Sequence, residues 1–240
     1  MAGKPRLCYI SILGAPGSYS PAIYDGENGG DDELVWIADL LARIGLAEKV
    51  EFSGVHGALG EPLREPDAAD VFILGGSYHS VHDGEPWQDA VFAWLARMRR
   101  AERPLLGICG GHQMMAKALG GSVGTVHGGP LRASLPVTLS AAGELHDLFA
   151  GFPGSPVFHF ANSEHVTAAP RGARVLATRP GMPHCALDHG GGWVSVQFHP
   201  EASARCIALA WKDHPLESTV DYVALPDAAG LLVNFALSSR

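Results

Sequence analysis

The 240-residue sequence contains few cysteines, and those it has are widely separated. Its four cysteines are Cys8, Cys109, Cys185 and Cys206, and they form no Cys-x-x-Cys pattern. They therefore indicate neither a zinc site of that kind nor a disulfide framework, and we expect free thiols in a reducing compartment. Three of them are expected to be small buried hydrophobic residues, whereas Cys109 stands in a different context.

Long apolar runs and an excess of positive charge are also lacking. No apolar run approaches the ~18 residues of a membrane span, and residues 1–6 lead into a strand without the features of a signal peptide. Basic residues number 17 against 25 acidic ones, so no basic surface is expected to displace counterions from nucleic-acid phosphates. We expect a cytoplasmic protein that binds neither a membrane nor a nucleic acid.

Short apolar segments alternate with helical patterns in the first half of the sequence. Val71–Leu74 and residues 104–108 are typical of strands buried on both faces, and residues 87–99 have apolar side chains at helical spacing. This alternation predicts an α/β fold that is doubly wound, with a mostly parallel sheet and helices on both faces. Residues 1–240 are expected to form a single domain.

The second half is richer in short strand candidates. The glycines at 190–192 separate two of them and predict a tight hairpin, so a small antiparallel element is expected beside the parallel sheet. The predicted strands are 135–139, 157–160, 175–178, 185–187 and 194–197. The chain is expected to close with helices at 202–211 and 228–237.

The segment Gly107-Ile108-Cys109-Gly110-Gly111 lies between a predicted buried strand and a predicted helix. It is typical of a nucleophile elbow with cysteine in place of serine, because small flanking residues permit the sharp turn that exposes the nucleophile. The amides at the start of the following helix favour the thiolate, which is the reactive form. Cys109 is therefore the predicted nucleophile.

A cysteine nucleophile needs a histidine base and a third group that orients the histidine. His199 is the predicted base, and Glu201, two residues later, is placed to reach the far imidazole nitrogen. Gly75 and Gly76 end another predicted parallel strand, where their amides can be directed at the same crevice and stabilise an oxyanion. These independent features are the requirements of one mechanism.

Three motifs together carry a resemblance to a known family: Gly-Ile-Cys-Gly-Gly-His-Gln at 107–113, His-Pro-Glu at 199–201 and Leu-Gly-Gly-Ser at 74–77. From about residue 6 onward the sequence resembles the class I, triad-type glutamine amidotransferases of the stand-alone, GMP synthase-like glutaminase type. The resemblance implies a flavodoxin-like fold. It also implies hydrolysis of the glutamine side-chain amide through a γ-glutamyl thioester, with no metal and no cofactor.

The resemblance also implies roles for further residues. Gly76 and Gly110 would contribute the amides of the oxyanion hole. Gln113 would contact the glutamine substrate, while Ser163 and Glu164 occupy the place where the family's backbone holds the α-amino and α-carboxyl groups. With Gly75, these last three residues form the expected substrate-binding set.

Two segments depart from the family pattern. Residues 14–30, rich in Gly, Pro and Ser, are longer than the usual turn after the first strand and are expected to be a loop. Residues 211–227 intervene between the His-Pro-Glu motif and the last helix, and their aromatic residues predict either a partner interface or packing beneath that helix. Ser77, where the family often has proline, is a milder departure. None of these touches the triad motif.

The sequence has no Gly-rich phosphate loop or ATP-binding domain, so the expected partner is a separate synthetase or acceptor protein that uses the ammonia. A competing interpretation keeps the triad and makes the chain a γ-glutamyl hydrolase or other amide hydrolase. A non-catalytic regulatory module is a third interpretation, although it requires a broken triad. His79, His82, Asp83 and Glu85 form a metal-like cluster in composition, but their spacing fixes no ligand geometry, and we expect a polar rim.

Overall fold

The computed structural model describes residues 3–211 and 222–238. Its strands are β1 (Arg6–Ser11), β2 (Glu51–His56), β3 (Val71–Leu74), β4 (Leu105–Ile108), β5 (Ser122–Thr125), β6 (Leu131–Pro136), β7 (Thr138–Leu139), β8 (Val157–Asn162), β9 (Glu164–Ala168), β10 (Arg174–Arg179), β11 (Met182–Gly190) and β12 (Trp193–Val196). Its α-helices are α1 (Glu33–Arg43), α2 (Pro86–Arg100), α3 (Gly110–Ala118), α4 (Ala141–Glu144), α5 (Ala204–Leu209) and α6 (Gly230–Ser238).

An eight-stranded sheet in the order β2-β1-β3-β4-β12-β11-β10-β7 forms the centre of the molecule. The first five strands in that order are parallel to their neighbours, and the remaining three continue the sheet in antiparallel pairs. This confirms the predicted parallel sheet with an antiparallel addition. The hairpin predicted at the glycines of 190–192 joins β11 to β12, and all three glycines have positive φ.

Helices cover both faces of the parallel part of the sheet. Strands β3 and β4 are buried along their whole length, which is why their sequences are continuously apolar instead of alternating. Successive residues of β1 point to opposite sides: Leu7 and Tyr9 belong to the core under α1 and α6, whereas Cys8 and Ile10 belong to the core under α2 and α3. No helix in the described ranges is long and apolar enough to cross a bilayer.

Two small antiparallel sheets, β5-β9 and β6-β8, lie outside the main sheet. Strands β5 and β9 were not predicted, because the first is four residues long and contains a glycine and the second shows no alternating burial. An isolated antiparallel bridge between His159 and His199 links the β6-β8 pair to the end of β12. The β6-β8 pair is thereby placed beside the carboxyl end of β12.

Some predicted boundaries shift in the structure. The helix predicted at 202–211 extends only over Ala204–Leu209, because the Ser203 side chain accepts a hydrogen bond from Cys206 N and caps its start. The predicted loop at 14–30 contains one turn of 3-10 helix, Pro21–Tyr24, with Tyr24 fully buried. Of the segment 211–227, residues 212–221 lie outside the described residues.

Candidate active site

Cys109 occupies the turn between β4 and α3 with φ of 48° and ψ of −102°. A positive φ is unfavourable for a residue with a side chain, and this conformation is held by the packing of the glycines around it. A Cβ at Gly111 would lie 2.2 Å from Leu74 O, and one at Gly107 would lie 2.5 Å from Met115 Sδ. Glycine is therefore required on both sides for α3 to approach the sheet this closely.

The turn is also fixed by backbone hydrogen bonds to two neighbouring strands. Cys109 N donates to Val196 O at 2.8 Å, and Gly111 N donates to Gly75 O at 2.9 Å. Cys109 thus lies at the carboxyl ends of the parallel strands and at the N-terminus of α3, as predicted for a nucleophile elbow. Strained backbone of this kind occurs characteristically at active sites.

His199 and Glu201 form a hydrogen-bonded pair just beyond the end of β12. His199 Nδ1 and Glu201 Oε1 are 2.6 Å apart, and their side chains are 13% and 7% exposed. His199 N donates to His159 O at 2.8 Å, and the intervening Phe198 stacks on Phe158 with ring centroids 4.0 Å apart. The Glu201 carboxylate therefore orients the imidazole, while the backbone bond and the Phe198 stacking anchor the chain on which it is carried.

The charges around His199 favour its protonated form. Burial acts to lower the pKa of His199, but the nearby Glu201 and Cys109 outweigh burial and raise that pKa well above its ordinary value. The His199 ring also lies beside Cys109, because a Cβ at Gly76 would be close to both side chains. Burial, and then the charge of His199, lower the pKa of the adjacent His159 to about 4. Of these two histidines, His199 is therefore the one whose protonated form is favoured.

Gly76 lies over the pair formed by Cys109 and His199. A Cβ at Gly76 would meet His199 Cε1 at 2.9 Å and would lie 3.7 Å from Cys109 Cβ. Within the described ranges, the amide of Gly76 donates to no other group of the chain. Gly110 packs against Ser77, because a Cβ there would meet Ser77 N at 2.8 Å. Both glycines predicted for the oxyanion hole thus adjoin the cysteine.

Gly75 does not have the position expected of a substrate-binding residue. Its amide donates to Ile10 O at 3.0 Å, and its carbonyl accepts the bond from Gly111. A Cβ at Gly75 would also meet Tyr9 Oη at 2.4 Å. These contacts use both backbone groups within the protein, so the expectation that the Gly75 amide faces the substrate is corrected: Gly75 is a packing residue.

Gln113, Ser163 and Glu164 all line the same cleft as Cys109. Gln113 Nε2 donates to Glu164 O at 2.9 Å and to Gln197 Oε1 at 3.2 Å. Asn162 Nδ2 donates to the same Glu164 carbonyl at 2.8 Å. The structure therefore brings the predicted substrate-binding residues together, with the Glu164 carbonyl already engaged by two side-chain amides.

Gln197 is a residue of the site that sequence reasoning missed. It is fully buried, and its Nε2 donates to Cys109 Sγ at 3.6 Å. Alternate residues of an extended strand face the same side, so the position two residues before His199 was the available signal. With Gln113, Gln197 forms a chain of amides that ends at the sulfur.

A buried carboxylic acid on the opposite wall was also missed. Tyr9 Oη donates to Glu33 Oε1 at 2.8 Å, and Ser11 Oγ donates to Glu33 Oε2 at 2.6 Å. Burial, partly offset by these two hydrogen bonds and reinforced by the charge of Glu201, raises the pKa of Glu33 to about 7.

Cys109, His199 and Glu201 open onto one cleft of about 700 Å³. Residues of the 14–30 segment, of α1 and of α5 extend the cleft beyond the cysteine. Cys206 lines it and is only partly buried, which corrects its assignment as a core residue, whereas Cys8 and Cys185 are fully buried as predicted.

The histidines of the metal-like cluster are engaged in other contacts. His79 Nδ1 lies 3.1 Å from Asp83 Oδ2, and its Nε2 accepts from Ala15 N at 3.4 Å. His82 contacts Val123 O at 3.2 Å through Nε2, while Glu85 caps the start of α2. Across the residues that the structure describes, no group of three or more His, Cys, Asp or Glu side chains is arranged to hold a metal ion.

A doubly wound sheet with a cysteine elbow beside a histidine–carboxylate pair is typical of the α/β enzymes that act through a thiol nucleophile. Comparison with known proteins gives a narrower assignment. Residues 49–208 match the family described as glutamine amidotransferase class-I. This chain belongs to the class I glutamine amidotransferase family.

The similar proteins include glutamine-hydrolyzing GMP synthases. That of Aeropyrum pernix is 33% identical over 185 residues, which are 76% of this chain and 33% of the relative. That of Parafrankia sp. is 41% identical over 144 residues, covering 58% of this chain and 24% of the relative. The chain thus spans a quarter to a third of the length of these relatives.

Solved structures show the same fold. A glutamine amidotransferase from Thermotoga maritima has a TM-score of 0.76 at 22% identity, with 99% of each chain covered. A glutamine amidotransferase from Methylobacillus flagellatus has a TM-score of 0.67 at 16% identity, covering 99% of this chain and 92% of the other. Both confirm the flavodoxin-like fold predicted from the sequence.

Proposed function

We propose that this protein hydrolyses the side-chain amide of glutamine, with Cys109 as nucleophile, His199 as general base and acid, and Glu201 as the group that orients His199. The observation that carries the proposal is the hydrogen bond of 2.6 Å between His199 Nδ1 and Glu201 Oε1, formed beside a cysteine in a strained elbow. Because Nδ1 is held by Glu201, Nε2 is the nitrogen left to exchange a proton with the sulfur.

The first half-reaction forms a thioester. The Cys109 thiolate attacks the glutamine carboxamide carbon, so that a C–S bond forms and the carbonyl oxygen becomes an oxyanion. The amides of Gly76 and Gly110 are the proposed donors to that oxyanion. Donors of this kind contribute most to the rate when the charge develops on the oxygen. The C–N bond then breaks, and His199 gives its proton to the departing ammonia.

The second half-reaction releases glutamate. His199, now neutral, removes a proton from a water molecule that attacks the thioester carbonyl. The C–S bond breaks, the thiolate of Cys109 is restored and the proton remains on His199. The raised pKa of His199 supports this cycle, because the imidazolium is the stable partner of the thiolate at the start and at the end.

Glutamine recognition is proposed for the wall formed by Gln113, Ser163 and Glu164. The two amides that converge on the Glu164 carbonyl hold this stretch of backbone rigidly beside Cys109. A pre-organised wall loses little entropy when it binds a small polar substrate. The substrate carboxamide would then lie over the sulfur, beneath Gly76.

We further propose that the ammonia is used by a separate synthetase and that the reaction takes place in the cytoplasm. The similar proteins are named glutamine-hydrolyzing GMP synthases, and this chain matches only a quarter to a third of each. The synthetase portion of such an enzyme is therefore the first candidate acceptor. The four free cysteines support a reducing compartment.

The experiment is a glutaminase assay combined with covalent labelling. Cys109→Ala should abolish release of glutamate, and a glutamine-mimicking electrophile should label Cys109 in the unaltered protein. Cys206→Ala is the matched control, because that thiol lines the same cleft and should be neither the labelled residue nor required for turnover. Labelling at Cys206, or glutamate release from the Cys109→Ala protein, would contradict the proposal.

A further inference from the structure

The cleft continues past the proposed triad into a region that hydrolysis of glutamine does not require. Its wall there is formed by Tyr19, Tyr24, Trp36 and Tyr78, which we call the aromatic lobe. A cleft of about 700 Å³ falls in the range that holds drug-sized ligands. Glutamine fills only a fraction of such a volume, and its leaving group, ammonia, needs almost no space.

The aromatic side chains of the lobe are held in place by contacts with one another. The Tyr19 ring stacks on Tyr78 with centroids 4.6 Å apart, and Tyr24 packs against Trp36 at 4.7 Å. The hydroxyls of Tyr24 and Tyr78 are hydrogen-bonded to each other. Trp36 Nε1 donates to Gly30 O at 3.0 Å, so α1 and the 14–30 segment are joined across the lobe.

The four aromatic side chains of the lobe are uncharged, and the cleft around them is also lined by the charged residues Glu27, Asp39 and Arg43. Burial raises the pKa of Tyr24 above its ordinary value, and the neighbouring Tyr78 adds to that rise. Burial and Asp31 raise the pKa of Tyr19 in the same direction. Both phenols therefore remain neutral. Tyr24 is almost fully buried, so the partly exposed rings of Tyr19, Trp36 and Tyr78 supply the apolar surface that favours stacking with another ring.

The direction of the lobe relative to the reacting atoms indicates which part of a substrate it receives. His199 protonates the departing nitrogen in the proposed mechanism, so the amine side of the scissile amide lies toward His199. The residues that follow His199 in the chain line the cleft in that direction: Glu201, then Ser203 at the cap of α5, and Cys206 on α5. Gln113 and Glu164 lie on the other wall, which is proposed for the glutamyl moiety.

We propose that the aromatic lobe binds the amine substituent of N-substituted γ-glutamyl amides, with amines that carry an aromatic ring, such as benzylamine, as the preferred class, so that this site hydrolyses such amides as well as glutamine. This inference rests on the triad chemistry proposed above. The atoms balance in the same way: the C–S bond forms, the C–N bond breaks, His199 protonates the departing amine, and water releases glutamate. No further reactant is needed.

The test compares L-glutamine, γ-glutamyl methylamide and γ-glutamyl benzylamide. The two substituted amides differ by a phenyl ring, and burial of a side chain of that size contributes about 1.5–3 kcal/mol. The kcat/KM for the benzylamide should therefore exceed that for the methylamide by ~10- to 100-fold, mainly through a lower KM. Equal kcat/KM values for the two amides would overturn the inference.

Variants of the lobe make the assignment specific. Tyr19→Ala removes one stacked ring of the lobe, and Ala210→Phe introduces a bulky ring into the cleft just beyond the end of α5. Each should lower the benzylamide-to-methylamide ratio of kcat/KM at least ~5-fold. Each ratio is taken within one protein, so a change in folded fraction cancels. Phe92→Ala is the matched control, because this half-buried ring packs under Lys117 away from the cleft and should leave the ratio unchanged.

The possible failures are distinguishable. Hydrolysis of glutamine without hydrolysis of either substituted amide would overturn the inference and leave the proposed function intact. Hydrolysis of the benzylamide without hydrolysis of glutamine would retain the lobe and overturn glutamine as substrate. An unchanged ratio in both lobe variants would place the benzyl group elsewhere and overturn the inference. Absence of all three activities from folded protein would overturn both proposals.

Discussion

At the scale of single residues, the bond between His199 Nδ1 and Glu201 Oε1 decides which imidazole nitrogen faces Cys109. Glu201→Gln keeps a side chain of the same size but removes the charge that helps to raise the pKa of His199. We expect kcat for glutamine to fall by ~10²–10⁴-fold, the scale of a misdirected base. Steady-state release of glutamate measures this loss.

The control for that experiment is Glu144→Gln, which changes an exposed carboxylate on α4 and should leave kcat unchanged. If Glu201→Gln had the same turnover as the unaltered protein, Glu201 would have no part in orienting the base. Near-ultraviolet circular dichroism of each variant separates loss of activity from loss of structure.

Glu33 makes folding stability depend on pH. Its pKa is raised to about 7 from an ordinary value of 4.5, so the folded state binds a proton more tightly than the unfolded chain does. The associated stability is fully present below pH 4.5 and is lost as the pH rises through about 7. The loss amounts to about 3 kcal/mol, since one pKa unit corresponds to ~1.4 kcal/mol.

Urea unfolding of the protein and of Glu33→Gln at pH 5 and pH 8 measures this dependence. The free energy of unfolding of the unaltered protein, relative to that of the variant, should be higher at pH 5 than at pH 8. The buried His112, His159 and His189 have lowered pKa values and titrate in both proteins. The difference therefore reports Glu33 together with its interactions with the charges of Glu201 and His199. A constant difference across pH would show that Glu33 does not titrate in this range.

At the scale of elements, the β4–α3 turn depends on a contact distance that only glycine permits. A Cβ at Gly111 would lie 2.2 Å from Leu74 O, so Gly111→Ala must displace α3 from β3. We expect a destabilisation of at least ~2 kcal/mol, in the range found for overpacked sites, together with loss of glutamine hydrolysis. Chemical denaturation and the glutaminase assay measure the two effects.

The control for this substitution is Gly124→Ala on β5, where the new Cβ would lie 3.2 Å from Thr167 Cγ2 and a side-chain adjustment relieves the contact. Its effect on stability should be much smaller. A Gly111→Ala protein as stable and as active as the original would mean that the helix does not need this close approach.

Elements with strong local signals were predicted well from the sequence. The apolar runs of β3 and β4 follow from their burial on both faces of the sheet. The helical period of α2 follows from the burial of one helix face against that sheet. Both patterns are visible in a short stretch of sequence. Strands β5 and β9 were not predicted because their pairing is long-range and neither strand shows an alternating pattern of burial. The start of α5 was missed by two residues because its cap depends on one serine hydroxyl.

The site shows the same division between local and long-range information. The order of residues around Cys109 and His199 indicated their chemistry, and the structure brings the two together. Gln197 and Glu33 were missed, because a buried glutamine or glutamate becomes recognisable only when its partners from other strands are known. Gly75 was misjudged for the same reason: its amide is engaged by Ile10 of the neighbouring strand β1.

At the scale of the whole molecule, we expect glutamine hydrolysis to depend on a synthetase partner. Tyr222, within the 211–227 segment, donates to Phe160 O at 2.6 Å and packs edge-on against His159 with ring centroids 5.4 Å apart. The carbonyl of His159 in turn holds His199 N. A partner bound at this segment would therefore be connected to the proposed base through Tyr222 and His159. A shift of ~1 Å in the position of His199 can change the rate ~10²-fold.

Glutamate release by the isolated protein, with and without the synthetase portion of a GMP synthase, measures this dependence. The basal rate should be slow and should rise when the synthetase is added. Tyr222→Phe removes the bond to Phe160 and should reduce the rise, whereas Val157→Ala, at an exposed position on the same strand, should not. A full rate from the protein alone, unaffected by any synthetase, would favour a free-standing amide hydrolase.

The positive φ of Cys109 has a consequence for how this protein can evolve. A cysteine held at φ of 48° costs the folded state on the order of 1–3 kcal/mol, and glycine at this position would relieve the strain. Selection for thermal tolerance alone would therefore favour replacing the one side chain on which the proposed chemistry depends. In a lineage that no longer needed the reaction, Cys109 would be replaced and the protein would become more stable but inactive. Retention of Cys109 is therefore expected only where the reaction is still needed.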